Sequence, residues 1–161
     1  ILHDGPVYMR FGRLACPVFN DKETYKFEIG KGIQLRDGKD ITIIATGLMV
    51  GEAITAGEEL AKEGINARII NIHTIKPIDE EIILKAAKET GKIVTVEEHS
   101  IIGGLGSAVA DVVTEKYPVP VHKIGVNDEF GMSGPAPDLL KKFGLSSENI
   151  VNKVKDVLAS K

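Results

Sequence analysis

Apolar and polar residues follow two alternating periods along this chain, and the periods predict strands and helices in turn. Short apolar runs rich in β-branched residues, which are typical of strands buried on both faces, occur at residues 41–45, 67–72, 93–96 and 119–126. Stripes of helical period follow the first three runs. This repetition of strand and helix predicts a parallel sheet with right-handed crossovers.

Helix boundaries in the pattern are marked by residues that favour helix ends. Gly64 is predicted to end the first helix, and Asp79 to begin the second, which stops before Gly91. Pro137 is predicted to open a short helix, and Ser146 to cap a final one. Together with edge strands suggested by Phe27, Ile29, Ile33 and Leu35, the pattern predicts a three-layer α/β/α fold with a mostly parallel sheet of about five strands.

The N-terminal part of the chain departs from this regular pattern. Residues 7–11 form a strand-like run that stops at Gly12, with no neighbouring run that would pair with it or bury it. Residues 13–25 are irregular and interrupted by Pro17, as in a linker between domains. We therefore predict two parts: residues 1–26, a terminal strand with its linker, and residues 27–161, an α/β domain.

Composition narrows the class of protein. The 161 residues, 43% of them hydrophobic, suffice for one core, and the net charge of −3 offers no basic face for nucleic acid or an anionic membrane. Cys16 is the only cysteine, so no intramolecular disulfide is possible, and a cytoplasmic location fits best. Because the first residue is Ile1 where a translation start would have Met, we expect the chain to be a piece of a longer protein.

Polar residues follow each predicted parallel strand, so the carboxyl ends of the strands should gather them at one edge of the sheet, the usual position of sites in open α/β folds. These crevice candidates are Thr46, His73, Glu97, Glu98, His99, Asn127 and Asp128. They lie on different loops without the spacing of a metal site, so we predict no metal there and favour a hydrogen-bonded subunit or domain interface over catalysis.

The glycine-rich loop before the third helix permits two interpretations. Residues 104–109 read GxGxxV, which lacks the third glycine of a dinucleotide-binding fingerprint. The favoured interpretation is that Gly103, Gly104 and Gly106 let the backbone turn tightly and the helix approach the sheet closely.

Arg10 and Arg13 lie three residues apart at the end of the isolated strand-like run of residues 7–11. Two guanidinium forks can bind a phosphate, although their spacing alone favours surface salt bridges.

Several segments in a fixed order carry a resemblance to a known family. They are GPVYMRFGR at residues 5–13 followed by CPVF, IATG at 44–47, IKPID at 75–79, VEEH with GGLGSAVAD, and FGMSGPAPDLLKKFGLSSENIV at 130–151. In order and spacing they resemble the C-terminal part of a transketolase, over nearly the whole chain. The resemblance implies that residues 1–13 close the sheet of a pyrimidine-binding domain and that the following α/β domain is the transketolase C-terminal domain.

The resemblance also implies an activity, cofactors and partners. Transketolases transfer a two-carbon ketol unit between sugar phosphates, using thiamine diphosphate and a divalent metal, Mg or Ca, in active sites formed between two subunits. No diphosphate motif occurs here, so this chain alone is expected to bind neither cofactor nor metal, to contribute no catalytic residue, and to be inactive. Its expected partners are the remaining transketolase domains or an N-terminal subunit, a second copy in a homodimer, and sugar-phosphate substrates.

Two residues bear on the subfamily. Arg13 matches the family's substrate-phosphate arginine, whereas Arg10 stands where transketolases have an apolar residue and is similar to the RxxR of 1-deoxyxylulose-5-phosphate synthase. The CPVF continuation favours a short or split transketolase. A stand-alone regulatory or interaction domain is a further alternative, against which the orphan strand counts.

Overall fold

The computed structural model describes residues 3–160, which contain five strands and five helices. The strands are β1 (Ile33–Arg36), β2 (Ile41–Ala45), β3 (Ala67–Asn71), β4 (Ile93–Ser100) and β5 (Val121–Val126). The helices are α1 (Met49–Lys62), α2 (Glu80–Thr90), α3 (Leu105–Lys116), α4 (Ala136–Lys142) and α5 (Ser147–Ala159).

All five strands form one sheet in the order β1-β3-β2-β4-β5. The strands β2 to β5 are parallel to one another, and β1 is an antiparallel edge strand on β3. The predicted mostly parallel sheet is thus confirmed. The prediction of a strand at Phe27 and Ile29 is wrong, because the first strand begins at Ile33. Instead, the Phe27 ring packs on the His73 imidazole with a centroid distance of 4.7 Å.

Two hydrophobic cores lie on opposite faces of the sheet. Successive residues of a strand point to opposite faces. Ile43 accordingly packs with α1 and α5, and Ile44 packs with α2 and α3. The three-layer α/β/α arrangement is therefore confirmed. Within the described part of the chain, every helix is too short or too polar to cross a bilayer.

Two of the predicted helix starts have side-chain caps. The Asp79 carboxylate accepts a hydrogen bond from the backbone N–H of Ile82 at 3.3 Å, and the Ser146 hydroxyl accepts one from Asn149 at 3.3 Å. The Asp79 carboxylate also accepts one from the backbone N–H of Gly32 at 2.8 Å, which joins the start of α2 to the chain entering β1. The bonds from Ile82 and Asn149 satisfy N–H groups that a helix terminus leaves without an intrahelical partner.

The N-terminal segment lies outside the sheet. No strand precedes β1 in residues 3–160, and the side chains of Val7, Tyr8, Met9 and Phe11 are largely exposed. The segment is attached through Arg10, whose two terminal guanidinium nitrogens both donate to the Glu98 carbonyl oxygen at 3.3 Å. Residues 7–11 thus lie beside the carboxyl end of β4 without pairing to it.

Candidate functional site

The predicted crevice lies at the carboxyl edge of the sheet, where the strand order reverses. The helix that follows β2 packs on one face and the helix that follows β4 packs on the other, so the loops after these adjacent strands diverge. The backbone N–H of Thr46 donates to the Val96 carbonyl at 3.2 Å between them. Such reversal points are where open α/β sheets bind their ligands.

Glu97, one of the predicted crevice residues, is buried at the carboxyl edge of the sheet. β4 extends to Ser100, so Glu97, Glu98 and His99 belong to the strand, in the stretch where its register against β5 shifts between Val96 and Ser100. The Glu97 side chain is only 2% exposed, and its two carboxylate oxygens accept hydrogen bonds from the backbone N–H groups of Leu105 at 2.7 Å and Gly106 at 2.8 Å. Glu97 therefore caps the first turn of α3 from inside the domain.

The glycines of the loop make this capping contact possible. A Cβ atom at Gly104 would lie 1.9 Å from a Glu97 carboxylate oxygen, and one at Gly106 would lie 2.7 Å from the Thr95 hydroxyl. Gly103 adopts a φ of +76°, the left-handed conformation that favours glycine. The interpretation of these glycines as residues for a tight turn and a close helix approach is confirmed.

The same geometry bears on nucleotide binding. A phosphate at a helix N-terminus is held by backbone N–H groups and by the positive end of the helix dipole. At α3 the N–H groups of Leu105 and Gly106 are already paired with the negatively charged Glu97. The carboxylate of Glu97 thus occupies the N-terminus of α3, where the phosphate of a nucleotide would otherwise bind.

Glu98 and His99 lie at the surface of the edge. Glu98 is half-buried, and its backbone carbonyl is the acceptor for Arg10. The exposed His99 places Nδ1 3.2 Å from the Ser100 carbonyl oxygen. These two residues remain available for an interface.

The histidine after β3 lies under an aromatic side chain. His73 is half-buried beneath Phe27, with Nδ1 2.8 Å from the Thr74 hydroxyl. Its Nε2 is buried and has no hydrogen-bond partner among the described residues. Burial lowers the pKa of His73 below its ordinary value, because an imidazolium ion would lose hydration there.

The remaining candidates are spread along the edge. Thr46 is half-buried after β2, whereas Asn127 and Asp128 are exposed after β5, and Asp128 has a φ of +48°. Over residues 3–160, no three His, Cys, Asp or Glu residues are grouped as they would be around a metal ion. The edge therefore presents a dispersed polar surface.

An apolar cavity of about 200 Å3 lies next to the arginine pair. Leu14 and Glu98 line it together with Val126 and with the α4 side of the domain. Arg13 is exposed and makes no ion pair or hydrogen bond within the described range. Sequence reasoning missed Leu14 as an anchor, because an isolated leucine in an irregular segment gives no periodic signal.

Comparison with known proteins identifies relatives of the whole chain. Residues 30–150 match the family described as "Transketolase, C-terminal domain". The chain is 48% identical over 161 residues to the 6-deoxy-6-sulfo-D-fructose transketolase subunit SqwH of Clostridium sp. (strain MSTE9), covering 100% of this chain and 50% of that protein. It is 40% identical over 157 residues to the 1-deoxy-D-xylulose-5-phosphate synthase of Heliobacterium modesticaldum (strain ATCC 51547 / Ice1), covering 96% of this chain and 24% of that one.

A solved structure agrees with these relatives. It is titled "Split gene transketolase, inactive beta4 tetramer", is 47% identical, and superposes with a TM-score of 0.86 over 91% of this chain and 48% of its own. The chain thus spans about half the length of the Clostridium relative and of this structural neighbour.

Proposed function

Because the chain belongs to the transketolase C-terminal domain family, we propose that it is the C-terminal part of a thiamine-diphosphate-dependent transketolase that transfers two-carbon ketol units between sugar phosphates. We call the protein that this chain forms with the remaining domains the parent enzyme. In the parent enzyme, the chain packs against the other domains and completes the substrate-phosphate site.

The observation that carries this proposal is the difference in length between the chain and its relatives, together with the exposed apolar run before the α/β domain. A complete α/β domain follows an exposed apolar run at residues 7–11 that pairs with no strand of the described chain. The Clostridium relative has as much sequence again outside the matched half. Residues 1–26 are accordingly proposed to be the last strand and linker of a pyrimidine-binding domain, and residues 27–161 the C-terminal domain.

Arg13 is proposed to bind the substrate phosphate. Its guanidinium is exposed and without a partner in residues 3–160, whereas the neighbouring Arg10 is held by the Glu98 carbonyl. A planar guanidinium can make two charge-assisted hydrogen bonds to a phosphate. Arg10 is proposed to assist chiefly by fixing the segment against β4.

The cofactor is proposed to bind elsewhere in the parent enzyme. The described residues do not fit it: they form no three-residue metal cluster, and the glycine-rich helix start at α3 is filled by Glu97. Thiamine diphosphate with Mg or Ca would supply the carbon-transfer chemistry there. The contribution of this chain is limited to binding and orientation.

The proposed partners are the remaining transketolase domains, either joined to this chain or forming a separate N-terminal subunit, and a second copy in a dimer of parent enzymes. Two observations support an assembly: the Clostridium relative is named as a subunit, and the structural neighbour is titled a split-gene tetramer.

The experiment that tests the phosphate role compares Arg13→Ala and Arg13→Lys in the parent enzyme. Loss of charge-assisted bonds worth about 1.5 to 3 kcal/mol should lower kcat/KM for a phosphorylated aldose by roughly one to two powers of ten. Arg13→Lys keeps the charge without the fork and should lose less. An unphosphorylated aldose is the matched control, and equal losses for both aldoses would contradict the role.

A second candidate is a 1-deoxyxylulose-5-phosphate synthase. It is favoured by the arginine at position 10 and by the 40% identity to the Heliobacterium enzyme. Formation of 1-deoxyxylulose 5-phosphate by the parent enzyme, in place of ketol transfer, would select it.

A further inference from the structure

The segment that carries Arg13 is attached to the α/β domain on both sides of that residue. On one side, the two terminal guanidinium nitrogens of Arg10 donate to the Glu98 carbonyl oxygen at 3.3 Å. On the other side, Leu14 lines the cavity of about 200 Å3 next to α4. Within residues 3–18, every residue except Leu14 is exposed. Leu14 is therefore the side chain of this stretch that the domain shelters.

The attachment of Arg10 depends on an irregularity of β4. β2 pairs with β4 only as far as Val96, and the register of β4 against β5 shifts between Val96 and Ser100. A shift of this kind takes backbone groups out of the regular ladder and occurs frequently next to functional sites. The Glu98 carbonyl lies in this stretch, where it accepts both hydrogen bonds from Arg10.

The cavity that shelters Leu14 has apolar walls from β5 and α4. Apart from Leu14 and Glu98, the residues that line it are Val126, Ala136, Leu139, Leu140, Phe143 and Leu145. Three of these, Val126, Leu140 and Phe143, also pack against the hydrophobic core that contains α1 and α5. The wall that Leu14 contacts is thus fixed to the core of the domain.

Resting on the proposed function, we infer that Leu14 is a positioning residue for Arg13. The Arg13 guanidinium makes no ion pair or hydrogen bond within residues 3–160, so the segment is held by the contacts of the neighbouring residues. Arg10 holds the backbone three residues before Arg13, and Leu14 holds it immediately after. A side chain whose backbone is already fixed loses less conformational entropy when it binds a phosphate. Leu14 thereby acts on phosphate recognition without touching the substrate.

Kinetic measurements on the parent enzyme test this role with Leu14→Ala and Leu14→Met. The entropic cost of ordering one flexible side chain corresponds to roughly two- to tenfold in affinity, so Leu14→Ala should lower kcat/KM for a phosphorylated aldose by that factor, mainly through KM. An unphosphorylated aldose should be used with unchanged kcat/KM. Leu14→Met keeps the apolar volume and should restore most of the loss. The matched control is Val18→Ala, because Val18 is 85% exposed and should affect neither aldose.

An Arg13→Ala background separates positioning from a general loss of stability. In that background Leu14→Ala should cause no further loss with the phosphorylated aldose, since no guanidinium remains to be positioned. The same loss in both backgrounds, or equal losses for the two aldoses, would overturn the inference.

A spin label on the isolated chain tests the anchoring without relying on catalysis. The label is attached at Arg13→Cys in a Cys16→Ser background, and its spectrum should contain an immobilised component. Leu14→Ala should remove that component, whereas Leu14→Met and Val18→Ala should keep it. A spectrum that Leu14→Ala leaves unchanged would overturn the inference. If the parent enzyme transfers no ketol unit while Leu14→Ala mobilises the label, the proposed function is refuted and the anchoring by Leu14 is supported.

Discussion

Replacing Glu97 by alanine perturbs the contact that joins β4 to α3. The carboxylate is 2% exposed and accepts from two backbone N–H groups, at 2.7 and 2.8 Å. Each buried N–H left without a partner costs roughly 1 to 3 kcal/mol, so the pair costs roughly 2 to 6 kcal/mol. Loss of the anion at the helix N-terminus adds about 0.3 to 1 kcal/mol. We expect a net destabilisation of about 3 kcal/mol, since water can enter the space.

Urea unfolding of the isolated chain measures this free energy, with the slope m unchanged if the native and unfolded states keep their compactness. A loss of about 3 kcal/mol corresponds to a fall in Tm of roughly 6 to 12 °C for a protein of this length. The matched control is Glu98→Ala, one residue on and half-buried, which should change stability by less than about 0.5 kcal/mol. Equal effects of the two substitutions would refute the capping role.

Gly104 provides an independent check on the same contact. A Cβ atom there would lie 1.9 Å from the Glu97 carboxylate, so Gly104→Ala should displace the cap. In the Glu97→Ala background that clash is absent, and the double variant should lose less than the sum of the single losses, by about 1 kcal/mol or more. Strict additivity would show that the two residues act separately.

Two further predictions concern pH and anchoring. Burial lowers the pKa of His73 below 6.5, so the unfolded chain binds more protons than the folded one, and the free energy of unfolding should fall as the pH drops below about 6.5. His73→Phe should weaken this dependence in urea titrations at pH 5 to 8 and leave the part that His122 contributes, because burial lowers the pKa of His122 as well. An unchanged slope would contradict the assignment. Amide exchange of the isolated chain should show residues 7–10 far less protected than β2, because they pair with no described strand, and equal protection would contradict the proposed domain division.

The parts of the fold that the sequence predicted correctly depend on local signals. Runs of β-branched residues produced the strands, and Asp79 and Ser146 began their helices because a side chain caps an N–H three residues on. The strand predicted at Phe27 and Ile29 does not form because the chain turns before β1, where the backbone N–H of Lys31 donates to the Glu28 carbonyl at 3.2 Å.

The candidate site was predicted in outline only. Strand ends brought the polar residues to one edge, but the direction of each side chain depends on where β4 stops. Once β4 is known to reach Ser100, the two-residue period places Glu97 on the same face as Thr95, under α3. Three consecutive charged or polar residues, Glu97, Glu98 and His99, are typical of a loop, so the sequence did not indicate that they belong to β4.

The measurement that tests the central claim most directly is ketol transfer by this chain alone and by the parent enzyme, each with thiamine diphosphate, Mg, a ketose phosphate donor and an aldose phosphate acceptor. The chain alone should show no transfer above the uncatalysed rate, and the parent enzyme should form the two-carbon-extended product. Transfer by the chain alone, or a folded and assembled parent enzyme that transfers no ketol unit, would contradict the account.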